Sequence, residues 1–489
     1  MPTNCAAPNA SVYLPSALNP WNTARAMHLY RRTSFGASVS KINSALSENP
    51  QSLVSKMVDD AKALPLTAAP IWANWTISNY SAIESERNTQ IASQYLEWQV
   101  RWIQSMKNNG LRDRMSWFWH NHFVTKLEKY LCPSWMYDYH RLLQKHALGN
   151  FKTFVKEMGT SPAMLVFLDG IQNTRFQPNE NYARELYELF TLGVDNGYTQ
   201  QDIVQTARAL SGWNGLDVNN LCGNVTFIPG FWDPGVKTIF GQTGTWGYND
   251  VVDLLFSQRP VQISEHIVRK IYKSFINPDV SEEMVTQFAT LFRNNNFELA
   301  PLMKAMLSSE HFFDEHNFST IIPGNIEYFM TFLNEIGYAE DADILTLLSY
   351  TGQDYDQRMF NPTDVSGWPG NRAWITSSSI PFRTDSIQQL MGYYYVKNGN
   401  SLEDLRTFVR GFESNSTNTL VIVKSIIDYL LPKGLQFENE YNDAIKVFKA
   451  EIPENYFTSG QWNMDWEYAP AQIFLLLSHI ALYPEFQLR

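Results

Sequence analysis

A mainly α-helical, multi-helical single globular unit with a small β-hairpin insertion around residues 224–241 is the fold this sequence predicts. Three observations carry that prediction. Apolar residues recur at spacings of three and four along most of the chain. β-like runs are confined to a short stretch after Trp213, where Pro and Gly cluster. No internal repeat and no long linker divides the 489 residues, and 44% hydrophobic content is enough to bury a large core.

Residues 1–20 carry Pro and Asn without periodicity and read as an extended N-terminal arm, leaving 21–489 as one predominantly helical domain. Thr23 opens a short helix that stops near Gly36, a suitable C-terminal cap. Ile42, Leu46, Leu53, Val54 and Met57 continue the helical spacing over Ser40 to Met57, before a loop from Leu64 to Pro70. A long helix follows from Glu84 to Lys107, with Ile91, Tyr95, Trp98, Trp102 and Met106 as its stripe and Asn109-Gly110 as its stop. Helical runs then cover Leu111–Thr125, Trp135–Leu148, Phe151–Met158, Pro162–Leu168 and Glu180–Leu192. Thr199-Gln200-Gln201-Asp202 forms a capping box, with Asp in place of Glu, for the next helix. Asn224–Ile228 and Lys237–Phe240 flank Pro229-Gly230 and Pro234-Gly235 and are expected to pair as a hairpin. Helices return from Asp250 to Leu348. The stretch from Asn361 to Gly370 is a loop, and Leu402 to Leu488 is mostly helical.

Composition excludes several classes. Net charge is −11 and the basic residues are scattered, which argues against nucleic acid or an anionic membrane surface as partner. No apolar run reaches the roughly eighteen residues of a membrane span. Cys5, Cys132 and Cys222 allow one disulfide with a thiol left over, or three free thiols. No signal peptide is visible between Met1 and Pro20. Nucleophile elbows, phosphate loops and dinucleotide fingerprints are missing as well.

Charge and histidine concentrate in two stretches. Four of the nine histidines, His120, His122, His140 and His146, lie within 27 residues, two of them inside Trp117-Phe118-Trp119-His120-Asn121-His122-Phe123. Two residues along an ideal helix turn through about 200°, so His120 and His122 cannot face one metal ion from a regular helix. In an extended segment the same spacing would put both on one face, within reach of a zinc or copper ion. On a helix each would instead serve a different neighbour, His120 beside Trp117 and Val124, and His122 beside Phe118 and Trp119. Glu185 and Glu188, three apart, share a helix face with Asn181 at the edge of an apolar arc. Paired carboxylates at that spacing suit a divalent metal or acid–base work. The competing reading is a structural ion pair with Arg184, Arg32 or Arg208. If either histidine meets both glutamates, three ligands with open positions result. The candidate catalytic groups are therefore Glu185, Glu188 and His122, and the candidate metal ligands His120, His122, Glu185 and Glu188. Asn179, Asn181 and Arg184 would orient substrate. Most aromatics at helical spacing, such as Trp98 and Trp102, belong to the core. Trp213, Trp232, Trp246, Trp368 and Trp374 lie in loops, and Trp213 and Trp368 are the expected substrate contacts.

These stretches form an ordered series: His28 to Gly36, Trp117 to Phe123, His146 to Phe151, Asn179 to Gly193, Gly197 to Trp213, Asp233 to Gly241 and Val365 to Gly370. The series resembles a bacterial family known as domain of unknown function 1800, over roughly residues 25–385, with 386–489 as a helical continuation. One departure stands out: Trp232 occupies a position where members often carry histidine. The resemblance transfers no activity. It implies export, to the periplasm or outside the cell, and a neighbour-encoded partner with sulfatase-like affinities. Two functions follow as expectations. One is a metal-dependent hydrolytic or oxidative enzyme acting on a polar or carbohydrate-like substrate. The other is a non-enzymatic binding or assembly protein whose His/Glu/Arg cluster is a structural network.

Overall fold

The computed structural model describes residues 9–214, 222–338, 341–354, 357–399 and 401–489, and one helix, Leu111–His122, lies at its centre. Every residue of that helix except Asn121 is buried. A helix buried on all sides keeps no solvent face, so neighbours cover it all round and its polar groups need partners within the protein. The Glu84–Asn109 and Pro133–Lys145 helices pack against it, and Ala342–Asp354 packs on the outer side of Glu84–Asn109. Gly110, at φ 53, makes the sharp turn between Glu84–Asn109 and the central helix, a backbone conformation that disfavours any side chain.

Twenty-three α-helices are present among the described residues. The Pro260–Phe275 helix pairs with Glu282–Asn294 and touches Thr23–Thr33, while Leu299–Leu307 lies on Pro50–Ala63. The C-terminal helices Glu438–Lys449 and Ala469–Ile480 pack together, as a helical continuation should. The expected Ser40–Met57 helix is corrected to two, Val39–Leu46 and Pro50–Ala63. Asn49 separates them: its side chain accepts the Gln51 and Ser52 N–H groups, and Pro50 takes the first helical position, where no N–H is needed.

A small β insertion is present around 224–241 as expected, but the pairing of Asn224–Ile228 with Lys237–Phe240 is corrected. Strand β1 (Trp213–Asn214) pairs antiparallel with β2 (Thr226–Phe227), and β3 (Lys237–Ile239) pairs with β4 (Gln242–Gly244). Pro229 starts a short 3₁₀ turn that ends β2 before it can reach Lys237. Phe240 and Gly241, at φ 49 and 78, supply the two left-handed residues of a tight β3–β4 turn. Within the N-terminal arm, residues 1–8 lie outside the described residues. The rest is not helical, and it is tied down by Tyr13 N–H to the Ser308 carbonyl and Glu310 N–H to the Ser11 carbonyl.

Cys132 and Cys222 form a disulfide that spans 90 residues of sequence, leaving Cys5 outside that bond. Closing so long a loop restricts the unfolded chain, and replacing both cysteines with serine should cost about 2–4 kcal/mol. Chemical denaturation of the oxidised protein beside the double variant checks this; superimposable curves would contradict it.

Candidate functional site: a cationic cavity beside the central helix

The central helix begins with Arg112-Asp113-Arg114, three charges in a fully buried segment. Buried charge is tolerated only where it is paired and hydrogen-bonded. Asp113 meets that condition: it accepts from Arg112 at 3.0 Å, from Ser105 Oγ at 2.9 Å and from Gln144 Nε2 at 3.1 Å. Arg112 also donates to the Pro65 carbonyl at 2.7 Å. Arg114 is less well served. It reaches Ser274 Oγ at 3.1 Å and lies 3.5 Å from Glu327 Oε1, with its guanidinium 4.8 Å from the Phe275 ring centroid. Burial and the nearby Arg489 push the Arg114 guanidinium down to about 9, against the pull of Glu327.

Arg114 lines a cavity of about 510 Å³ together with Lys270, Lys273, Arg489 and Glu327. Four cationic side chains thus face one carboxylate, in a chain whose overall charge is −11. That carboxylate is already engaged: Glu327 accepts from Arg489 at 2.8 Å and, through Oε2, from the Gly324 N–H at 3.0 Å. Lys273 is exposed and has no ion pair among the described residues. Trp117, Trp368 and Trp374 supply flat apolar wall. Three N–H donors on lining residues, Arg114 Nε, Arg489 Nε and Trp368 Nε1, are buried without a hydrogen-bond partner among the described residues.

The loop Val365–Gly370 forms one side of this cavity and is stapled to the central helix. Asn121 Oδ1 accepts from Trp368 N–H at 2.7 Å, and Asn121 Nδ2 donates to the Trp368 carbonyl at 3.3 Å. The amide side chain thus mimics a strand partner for one residue of the loop. Trp368 packs 5.1 Å from Trp117 and 5.2 Å from His120, centroid to centroid. His120 Nε2 accepts the Phe360 N–H at 2.9 Å, and Leu127 N–H bonds the Phe360 carbonyl, which fixes the start of the loop. The motif around Trp117 and the motif around Trp368 are therefore two halves of one structure.

His120 and His122 point to different partners, as their spacing requires. His120 sits among Trp102, Trp117 and Phe360, whereas His122 Nε2 donates to the Phe190 carbonyl at 3.2 Å. Burial pushes His120 down to about 3 and holds His122 well below its ordinary value, so both rings are neutral. Accepting from a backbone N–H leaves the His120 proton on Nδ1, and donating to a carbonyl puts the His122 proton on Nε2. His266 Nε2 donates at 3.2 Å to the neighbouring Leu189 carbonyl. These two histidines satisfy carbonyls just past the Asn181–Glu188 helix, a capping role.

On that helix, Arg184 bridges Glu180 at 3.2 Å and Glu188 at 3.3 Å, and donates to Gln200 Oε1 at 3.0 Å. Arg208 pairs with Asp233 at 2.7 Å, and buried Arg32 donates to the Asn317 carbonyl, so neither serves Glu185 or Glu188. Glu185 is partly buried; burial first, and then Glu188, raise its carboxyl above the usual range against Arg184. Asn181 donates to Asp169 at 3.2 Å, and Asn179 Oδ1 accepts from Asn181 N–H at 2.9 Å. These residues form a polar surface around the helix and do not line the cationic cavity. Trp213 lies apart as well, beside Phe227 and Trp232 in another cavity of about 350 Å³. Trp232, in the histidine position, packs its ring 5.0 Å from Lys237 Nζ.

Among the described residues, no group of three or more His, Cys, Asp or Glu side chains is placed to hold a metal ion. His120, His122, Glu185 and Glu188 are not brought together as a ligand set. Of the expected site residues, Trp368 joins the cavity, and so does Trp374, another of the loop tryptophans expected to contact ligand. Sequence reasoning missed Arg114, Lys270, Lys273, Glu327 and Arg489. Two signals pointed that way: the Arg-Asp-Arg triplet inside a core helix, and two lysines three apart on one helix. A further cavity of about 490 Å³ near the N-terminus has balanced charge, with Lys41 and Lys56 against Glu48 and Asp60. It lacks the convergence of motifs seen around Trp368.

A family model described as a protein of unknown function (DUF1800) matches residues 28–488. The chain belongs to this family. The DUF1800 match runs past residue 385, so the C-terminal helices are part of the family unit and not an appendage. No curated protein and no solved structure matches the chain. No helix among the described residues is long and apolar enough to cross a membrane.

Proposed function

We propose that this DUF1800 protein binds an anionic, carbohydrate-like ligand in the cavity between the central helix and the Trp368 loop. One observation carries the reading: four cationic side chains face a single, already paired side-chain carboxylate, in a chain of net charge −11. A carboxylate, sulfate or phosphate group would offset the excess of positive side chains with charge-assisted hydrogen bonds. The tryptophan walls would stack on the apolar face of a sugar ring. In this reading His120, His122 and Arg184 hold the fold, and the anion site lies elsewhere.

Tryptophan fluorescence titration tests the proposal, with glucuronate, galacturonate and inorganic sulfate beside neutral methyl glucoside. The anions should bind, more weakly as salt rises, and the neutral sugar should not. Lys273 is exposed, so Lys273→Glu should fold normally while weakening anion binding by about tenfold or more. Affinity unchanged in Lys273→Glu, or no saturable anion binding in the wild type, would contradict the proposal.

We also propose export to an oxidising compartment, which the Cys132–Cys222 disulfide supports. Thiol titration in denaturant, on protein isolated from its native source, should count one thiol per chain. A count of three would argue against it.

A further inference from the structure

The Pro260–Phe275 helix carries His266, Lys270, Lys273 and Ser274 at spacings that place them along one face. Lys270, Lys273 and Ser274 line the cationic cavity, and His266 lies a turn deeper. Lys270 is partly buried, yet no carboxylate pairs with it among the described residues. The acidic groups nearby are taken: Glu282 binds Arg269, and Glu327 binds Arg489 and Arg114. Among the described residues its one hydrogen bond runs 3.5 Å to the Leu189 carbonyl, at the long limit, and His266 already serves that oxygen at 3.2 Å. A charged ammonium held there gains little and loses its hydration. Such a lysine has the setting of a reactive amine: desolvated, beside other cations and open to a cavity.

We infer that Lys270 is a nucleophilic amine that condenses with the carbonyl of an anionic aldehyde or ketone held in the cavity by Lys273 and Arg114. This rests on the anion-binding reading and adds the ligand's second functional group. The Nζ lone pair attacks the carbonyl carbon as the C=O π bond breaks, and the oxygen takes up the proton that Nζ releases to give a carbinolamine. Loss of water then forms the C=N bond, with no change of oxidation state. Burial and Lys273, one turn away, push the Lys270 ammonium down to about 8. A larger share of the Lys270 side chains than of ordinary lysines then carries the free lone pair near neutral pH. The titratable and charged groups around it are His266 and Lys273 on its own helix, His122 on the central helix, and Arg114, Glu327 and Arg489 across the cavity.

Pyridoxal 5′-phosphate, an aldehyde carrying a phosphate, is a suitable probe of the whole protein. Borohydride reduces any imine to a stable secondary amine, and peptide mass mapping locates it. Lys270 should carry about tenfold more label than any other lysine, consistent with its larger neutral fraction. Excess inorganic phosphate should protect it. Lys270→Arg should lose that label while keeping its circular dichroism. If that variant does not fold, the map of the wild type decides, together with Lys273→Ala, in which labelling of Lys270 should fall. Phosphate-competed binding of the probe without a Lys270 adduct, or even labelling of many lysines, overturns the nucleophile and leaves the anion cavity standing. Absence of any phosphate-competed binding overturns both.

Discussion

Glu327→Ala should destabilise this protein by about 3–5 kcal/mol, the range expected when one partner of a buried ion pair is removed. Glu327 is buried and, among the described residues, its side chain supplies the one carboxylate paired with Arg489 at 2.8 Å and Arg114 at 3.5 Å. It also accepts the Gly324 N–H at the start of the Asn325–Glu335 helix. Removing it leaves two buried guanidinium groups facing each other and one helix N–H without a partner. Glu327→Gln keeps the helix contact but not the charge, so it should be nearly as destabilising. Burial by itself would raise the Glu327 carboxyl, but Arg489, Arg114 and the Gly324 N–H hold it below the usual range. A carboxyl depressed in this way contributes its stability in full above the unfolded glutamate value of about 4.3 and loses it as pH falls through its folded value. The wild type should therefore lose stability more steeply with acid than either variant in that range. Urea denaturation from pH 7 downwards measures both effects. A loss under about 1 kcal/mol at pH 7 would mean that solvent, not Glu327, compensates the arginines.

Gly367→Ala should be the most damaging small substitution at the cavity. Gly367 has φ +88, and a Cβ there would lie 2.3 Å from Asn121 Oδ1 and 2.5 Å from the Asn121 carbonyl oxygen. The side-chain oxygen could move, but the carbonyl belongs to the central helix and cannot. Overpacking and backbone strain together should cost about 2–4 kcal/mol. The loop can escape the clash only by lifting, which breaks the Asn121–Trp368 hydrogen bonds and carries Trp368 away from Trp117 and His120. Anion affinity should thus fall by about tenfold or more, even at temperatures where the variant is folded. Thermal denaturation paired with the fluorescence titration checks this. Wild-type affinity in a folded Gly367→Ala protein would separate the loop from the site.

Periodicity made the helices legible in the sequence, along with local signals such as the Asn109-Gly110 stop. The Thr199–Asp202 capping box forms as expected, with Thr199 Oγ1 accepting the Asp202 N–H and Asp202 Oδ2 accepting the Thr199 N–H. The two-residue spacing of His120 and His122 also told correctly that they face different neighbours. Strand pairing was not legible: Thr226–Phe227 found Trp213–Asn214 across a segment whose residues carry no periodic signal. The cavity was the harder case. Its charged residues come from positions 114, 270, 273, 327 and 489, so no window of sequence contains more than two of them. Lys270 and Lys273 look like ordinary helix-surface lysines until the Trp368 loop and Arg489 are brought opposite them. Clustering in sequence drew attention to Glu185 and Glu188. In space they belong to a surface helix whose Arg184 bridges Glu180 and Glu188.

Anomalous diffraction from a crystal soaked in selenate tests the central claim most directly. Selenate has the shape and charge of sulfate, and selenium can be located without bias. Selenium should lie beside Trp368, within hydrogen-bonding reach of Arg114, Lys273 or Arg489, and should disappear in Lys273→Glu. Selenate bound only elsewhere on the surface, with this cavity empty, would contradict the assignment of an anion site to it.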